Sequence, residues 1–169
     1  MTAITEDDLQ IELPPGASAR KFDDKKSHGL SHCMKAVDFI VELGDRLLFI
    51  EFKDPQHPAS RPKDREKFIE KFLSGQIDTD LKTKYRDSFL YEWGLAQTRK
   101  PVYYFVLIGA DALGAAELLI RTEALKRLLP IRGPGGKPWK QNFIAGCAVM
   151  NLEAWNRMLP GFPASRVGA

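Results

Sequence analysis

Cysteine is scarce: Cys33 and Cys147 are the only two in 169 residues. A disulfide-stapled secreted scaffold uses many more, so reduced thiols in a cytoplasmic protein are the expectation. Long apolar runs are also missing. The longest, residues 102–110, falls far short of the ~20 residues a helix needs to cross a bilayer. Residues 1–9 include Glu6, Asp7 and Asp8 and no apolar stretch, which is unlike a secretory signal. Neither sign of charge dominates, with 25 basic against 22 acidic residues and a net charge of +3. Such a balance permits contact with nucleic acid without by itself indicating it. There is no internal repeat and no low-complexity tract. With 44% apolar and 28% charged residues the composition is that of a folded chain. Its length suits a single domain over residues 1–169, able to bury a core without staples.

What is present divides into segments. Residues 1–34 are polar and read as irregular, with at most a short strand at 11–13 and a solvated loop or short helix at 20–26. Residues 35–43 and 47–53 are rich in Val, Ile, Leu and Phe, with Gly44 and Asp45 between them. That pattern predicts two strands joined by a tight turn. Pro55 closes the second strand, because proline cannot extend the ladder. Residues 63–73 place Phe68, Ile69, Phe72 and Leu73 on one helical stripe, with Gly75 just past the end. A second helix is predicted from a cap at Asp78, Thr79 or Asp80 to about Gln97, with Leu81, Tyr85, Phe89, Trp93 and Ala96 as its core stripe. Residues 102–109 read as a central strand covered on both faces. Asp111 caps a helix over 112–129, residues 143–150 form another buried strand, Asn151 caps a helix to 159, and 160–169 is a loose tail. The order implies an α/β domain with a mixed sheet.

The hairpin has one chemical feature. A tight turn at Gly44 and Asp45 pairs residues whose numbers sum to 89, which sets Asp38 opposite Glu51. Opposed residues share a face with Cβ atoms roughly 4.5–5.5 Å apart. Lys53, two residues on, shares it too. Ala36, Ile40 and Phe49 surround the three polar groups. Two facing carboxylates repel, so something positive belongs there. A hard divalent cation such as Mg²⁺ is one answer; Lys53 alone, as an ion pair, is the other.

The run Val37-Asp38, followed by Phe49-Ile50-Glu51-Phe52-Lys53, resembles the PD-(D/E)XK or restriction-endonuclease-like nuclease superfamily. Val37 stands where many members have proline. The resemblance covers residues 35–54 by motif and about 35–150 by element order. It implies an α/β restriction-endonuclease-like core of αβββαβ order, with a mixed central sheet whose hairpin carries the active site between flanking helices. It further implies that Asp38, Glu51 and the main-chain carbonyl of Phe52 bind Mg²⁺, with Mn²⁺ able to substitute, and that Lys53 orients the attacking water. The reaction would be phosphodiester hydrolysis, in DNA, by an endonuclease. For the family's leading acidic residue Glu12 is the first choice, with Asp23 and Asp24 as alternatives. The glutamine–tyrosine helix motif of one branch is not present at Gln76.

Other residues have weaker claims. His28 and His32 have a four-residue spacing but no second ligand pair for zinc. His32, just before the first motif strand, could support the site. Lys63, Arg65 and Lys67 follow the motif strand and could contact phosphates, or form a solvated helix face. Arg132, Lys137, Trp139 and Lys140 form a basic Gly/Pro loop with a ring able to stack on a base. As the sequence shows no obvious separate DNA-reading segment, sequence specificity would be low, or come from a homodimer or a partner protein. A second reading keeps the fold but not the activity: an inactive nuclease-fold module that binds nucleic acid or protein.

Overall fold

A computed structural model describes residues 2–24, 26, 29–135, 137 and 139–167. Among them run β1 (Thr2–Glu6), β2 (Leu9–Leu13), β3 (Ser18–Lys21), β4 (Phe39–Glu42), β5 (Leu47–Lys53), α1 (Pro62–Ser74), α2 (Ile77–Gly94), β6 (Val102–Ile108), α3 (Ala115–Leu128), β7 (Gly146–Asn151), α4 (Leu152–Met158) and β8 (Ala164–Arg166). The chain is a mixed α/β protein. Its main sheet has the order β3-β4-β5-β6-β7, with β3, β4 and β5 antiparallel and β5, β6 and β7 parallel. No helix among the described residues is long and apolar enough to cross a membrane.

Strand periodicity assigns the two faces of this sheet. Leu47, Phe49, Val102, Tyr104, Val106 and Val149 pack with Phe72, Leu81, Tyr85 and Leu125 of the helices α1, α2 and α3. Leu48, Ile50, Leu107 and Met150 pack on the other face with Trp155 of α4 and with Leu9, Ile11, Leu13 and Ala164. Those last residues belong to a second sheet of order β1-β2-β8. By period, Glu51 and Lys53 lie on the face toward the helices.

Residues 2–21 are therefore not irregular but carry three strands. Leu9, Ile11 and Leu13 are buried and alternate with polar residues, the mark of a strand with one wet face. Asp7, at φ 50, makes the tight turn from β1. The tail is not loose either, because β8 pairs antiparallel with β2. Helix starts also differ from expectation. Asp78 is no cap; it accepts from Arg121 of α3 at 2.9 Å. Gly114, not Asp111, precedes α3, and no side chain caps it. Asn151 does cap α4, accepting from the Ala154 amide at 2.8 Å, and Gly75 ends α1 at φ 80.

The expected stripe on α2 fails at its far end. Each four-residue step drifts about 40° around a helix, so three steps drift about 120°. Leu81 and Tyr85 are buried, but Trp93 is half exposed and its place is taken by Ser88 and Glu92. Val37, which strand alternation with Phe39 and Val41 would set on the opposite face, does not stay there. It packs with the helix-side cluster because regular pairing begins only at Phe39.

Candidate active site

Asp38 stands at the end of an approach segment that α2 holds in place. Ser88 Oγ accepts from the Val37 amide at 3.0 Å and Asp87 accepts from the Lys35 amide at 2.9 Å. The Lys35 ammonium pairs with Asp80. The Asp38 carbonyl accepts from the Phe22 amide at 2.7 Å. The hairpin then pairs Phe39 with Ile50 and Val41 with Leu48, the register the turn predicted. One step before Phe39, Asp38 comes opposite Glu51.

Glu51 is fully buried. Its Oε1 pairs with Lys53 Nζ and with Lys84 Nζ, each at 2.6 Å. Its Oε2 is buried and has no hydrogen-bond partner. Asp38 Oδ2 accepts from the Phe52 amide at 2.7 Å, and Asp38 Oδ1 lies 3.7 Å from Lys84 Nζ. The three sequence-predicted side chains thus meet. Lys84 joins them from the middle of α2, and sequence reading missed it. A signal existed: Lys84 is three residues after Leu81 and four before Ser88, on the side of α2 that packs against the sheet.

Burial and, next, the neighbouring Glu51 charge push the Asp38 carboxyl up to about 7, against the pull of Lys84 and the Phe52 amide. For Lys84, burial acts to lower the pKa, but Glu51 and Asp38 outweigh it and hold the ammonium above its ordinary value. Tyr104 is fully buried on the same face with no partner for its hydroxyl. Burial, then the charges of Glu51 and Asp38, raise it well above an ordinary phenol, so it stays neutral.

The donor set is all oxygen. Lys53 accepts through its carbonyl from Gly109, toward β6. Successive strand carbonyls alternate in direction, so the Phe52 carbonyl points to the opposite edge, where its own amide meets Asp38. Asp38, Glu51 and the Phe52 carbonyl could hold a hard cation that keeps several waters, as Mg²⁺ does. Among the described residues no three carboxylates, imidazoles or thiols are placed to hold one metal ion, so water would complete the set.

The accessory residues separate. Glu12 is not part of the site: the alternation that buries Leu9, Ile11 and Leu13 turns it away, on the sheet covering the opposite face. Asp23 is close, with Oδ2 3.9 Å from Lys84 Nζ. Asp24 caps the Lys26 amide instead. His32 is exposed and has no hydrogen bond to the carboxylates, and His28 lies outside the described residues. Lys63 and Lys67 are exposed on α1, while Arg65 is half-buried and donates to the His57 carbonyl at 3.2 Å. The basic loop is split. Arg132 lies beside Glu123, Lys126 and Arg127, whereas Lys140 lines a cleft with Trp93, Arg99 and Lys100. Lys137 is exposed between them. Trp139 packs onto Gly133, whose φ of +67 and lack of a side chain admit the ring. Cys33 is exposed and Cys147 buried, and both are free thiols. Comparison with family models, curated proteins and solved structures finds no match to this chain.

Proposed function

We propose that the chain is a divalent-metal-dependent nuclease hydrolysing phosphodiester bonds in DNA, built on a restriction-endonuclease-like core. The observation that carries this reading is the fully buried Glu51 carboxylate, facing Asp38 and Lys53, with one oxygen left without a partner. A buried anionic oxygen without a partner is costly, and functional sites are where such costs are tolerated. Three consecutive antiparallel strands, then helices and a parallel strand, match the βββαβ part of the order the motif implies, although β1 and β2, and among the described residues no helix, precede β3.

When bound, a divalent ion would lower the pKa of a coordinated water and offset phosphate charge. Asp38, Glu51 and the Phe52 carbonyl would hold it. Lys53 is less buried than its partner, at 28% exposure against 0% for the Glu51 side chain, and so can reach substrate at the rim. There it would orient the water and stabilise the phosphate oxygens. Buried, neutral Tyr104 would keep the floor of the site rigid.

Cleavage of plasmid DNA in Mg²⁺, abolished by EDTA and by Glu51→Gln, is the result expected. No cleavage by intact protein in Mg²⁺ or Mn²⁺, on duplex, single-stranded DNA or RNA, would refute it. Lys84 favours a second reading, an inactive module that binds nucleic acid or protein. Two lysines on Glu51 form an ion-pair network that could stand without metal. That reading predicts no divalent-ion binding.

A further inference from the structure

We propose that Lys84 is the resident counter-cation of the Asp38–Glu51 pair, and that a divalent ion loads by displacing its ammonium. This rests on the metal-dependent reading above. Lys84 Nζ lies 2.6 Å from Glu51, 3.7 Å from Asp38 and 3.9 Å from Asp23, amid carboxylates from three separate segments of the chain. Those of Glu51 and Asp38 are the oxygens a hard cation would use. An ammonium and a divalent ion cannot share them in a buried site, because like charges a few ångströms apart repel strongly there.

The residue type suits an exchangeable occupant. A lysine ammonium is a compact charge on a flexible stem, whereas an arginine fork would lock both oxygens of a carboxylate. Both lysines crowd one oxygen of Glu51 and leave the other unpartnered, so the network is not saturated as an ion pair. Charge points the same way. With all three acids ionised, Asp23, Asp38 and Glu51 exceed Lys53 and Lys84 by one negative charge. A divalent ion turns that into one positive charge, which a phosphodiester matches. Lys84, once freed, remains tethered to α2 beside the phosphate.

Two measurements on the full chain test this, with Mn²⁺ as the probe. The first follows amine labelling of Lys84 by mass spectrometry, with and without Mn²⁺. Wild-type Lys84 is expected to label slowly without the ion and roughly tenfold or more faster with it, as an ion pair is exchanged for solvent. The second measures Mn²⁺ affinity by electron paramagnetic resonance. Lys84→Met is expected to bind roughly tenfold tighter than wild type, since a competing charge is gone; Lys84→Arg is expected to bind more weakly. Lys84 remaining protected in the Mn²⁺ complex, or Lys84→Met binding no tighter, would overturn the displacement. Mn²⁺ binding to Lys84→Met alone would also overturn it, showing a permanent occupant while sparing the carboxylate pair. Binding to neither protein would remove the metal-dependent reading itself. The labelling measurement stands even if the variants fold poorly.

Discussion

The Phe52 amide donates to Asp38 Oδ2 at 2.7 Å, so the strand that carries Glu51 also holds the acid facing it. This bond follows the last regular pair of the hairpin, Phe39 with Ile50, and replaces a main-chain partner with a carboxylate. It fixes one oxygen of Asp38 and leaves the other toward Lys84. The position of Asp38 is therefore a consequence of hairpin register and of the α2 contacts to residues 35–37, not of a flexible loop.

That placement predicts a pH dependence. Burial, then Glu51, raises the Asp38 carboxyl to about 7, whereas an unfolded aspartate titrates near 3.9. Between those values the folded chain binds more protons than the unfolded one. Metal-free stability should therefore fall as pH rises from about 4 to about 7, and level off above. Asp38→Asn, which can still accept from the Phe52 amide, should flatten this decline, and so should a saturating divalent ion. Melting curves in EDTA from pH 4 to 8 check it; parallel profiles for wild type and variant would exclude Asp38 as the source.

A second prediction concerns the chain's end. Arg166 of β8 donates to both oxygens of Asp54, each at 2.8 Å, and to the Gly109 carbonyl at 3.0 Å. The Asp54 side chain is almost fully buried. Arg166→Ala strands that charge, which costs about 3–5 kcal/mol and should lower Tm on the order of 10 °C. A melting temperature within a degree of wild type would mean that β8 contributes nothing to holding the end of β5.

The hairpin and its three polar side chains were legible because register and side-chain period are local arithmetic around Gly44 and Asp45. Asn151 and Gly75 were legible as helix ends for the same reason. The small sheet was not, since β2 pairs with β8 across most of the chain and each strand is short and half polar. Lys84 was hidden differently. It is 33 residues from Glu51, and only the packing of α2 on the sheet brings them together. Glu12 failed as the leading acid because nothing in its own segment says which sheet it joins.

For nucleic-acid contact, the exposed Lys63 and Lys67 on α1 should matter more than Arg65, which is tied to the His57 carbonyl. Replacing Lys63 and Lys67 by Gln should weaken DNA binding and flatten its salt dependence by a slope of about 0.9 per lost phosphate contact. Arg65→Gln should change the slope less. Filter binding across a salt series measures this, and equal slopes for all variants would assign α1 to a solvated face.

The last prediction separates the roles of Glu51 and Lys53, and Lys84 alters its form. If Lys53 were the only compensating charge, its loss would strand two buried carboxylates. Lys84 remains at 2.6 Å, however, and Lys53 is partly exposed. Lys53→Met should therefore lose less than about 1 kcal/mol of stability, keep Mg²⁺ binding and abolish hydrolysis. Glu51→Gln should lose both Mg²⁺ binding and hydrolysis. It should also cost about 1–3 kcal/mol, because the mostly buried Lys84 ammonium loses its nearest anion. Calorimetric Mg²⁺ titration, melting curves and DNA cleavage on the two variants give the pattern. If the four charges serve only as an ion-pair network, Mg²⁺ will leave the wild-type melting temperature unmoved and neither variant will differ from wild type in cleavage, because none will occur.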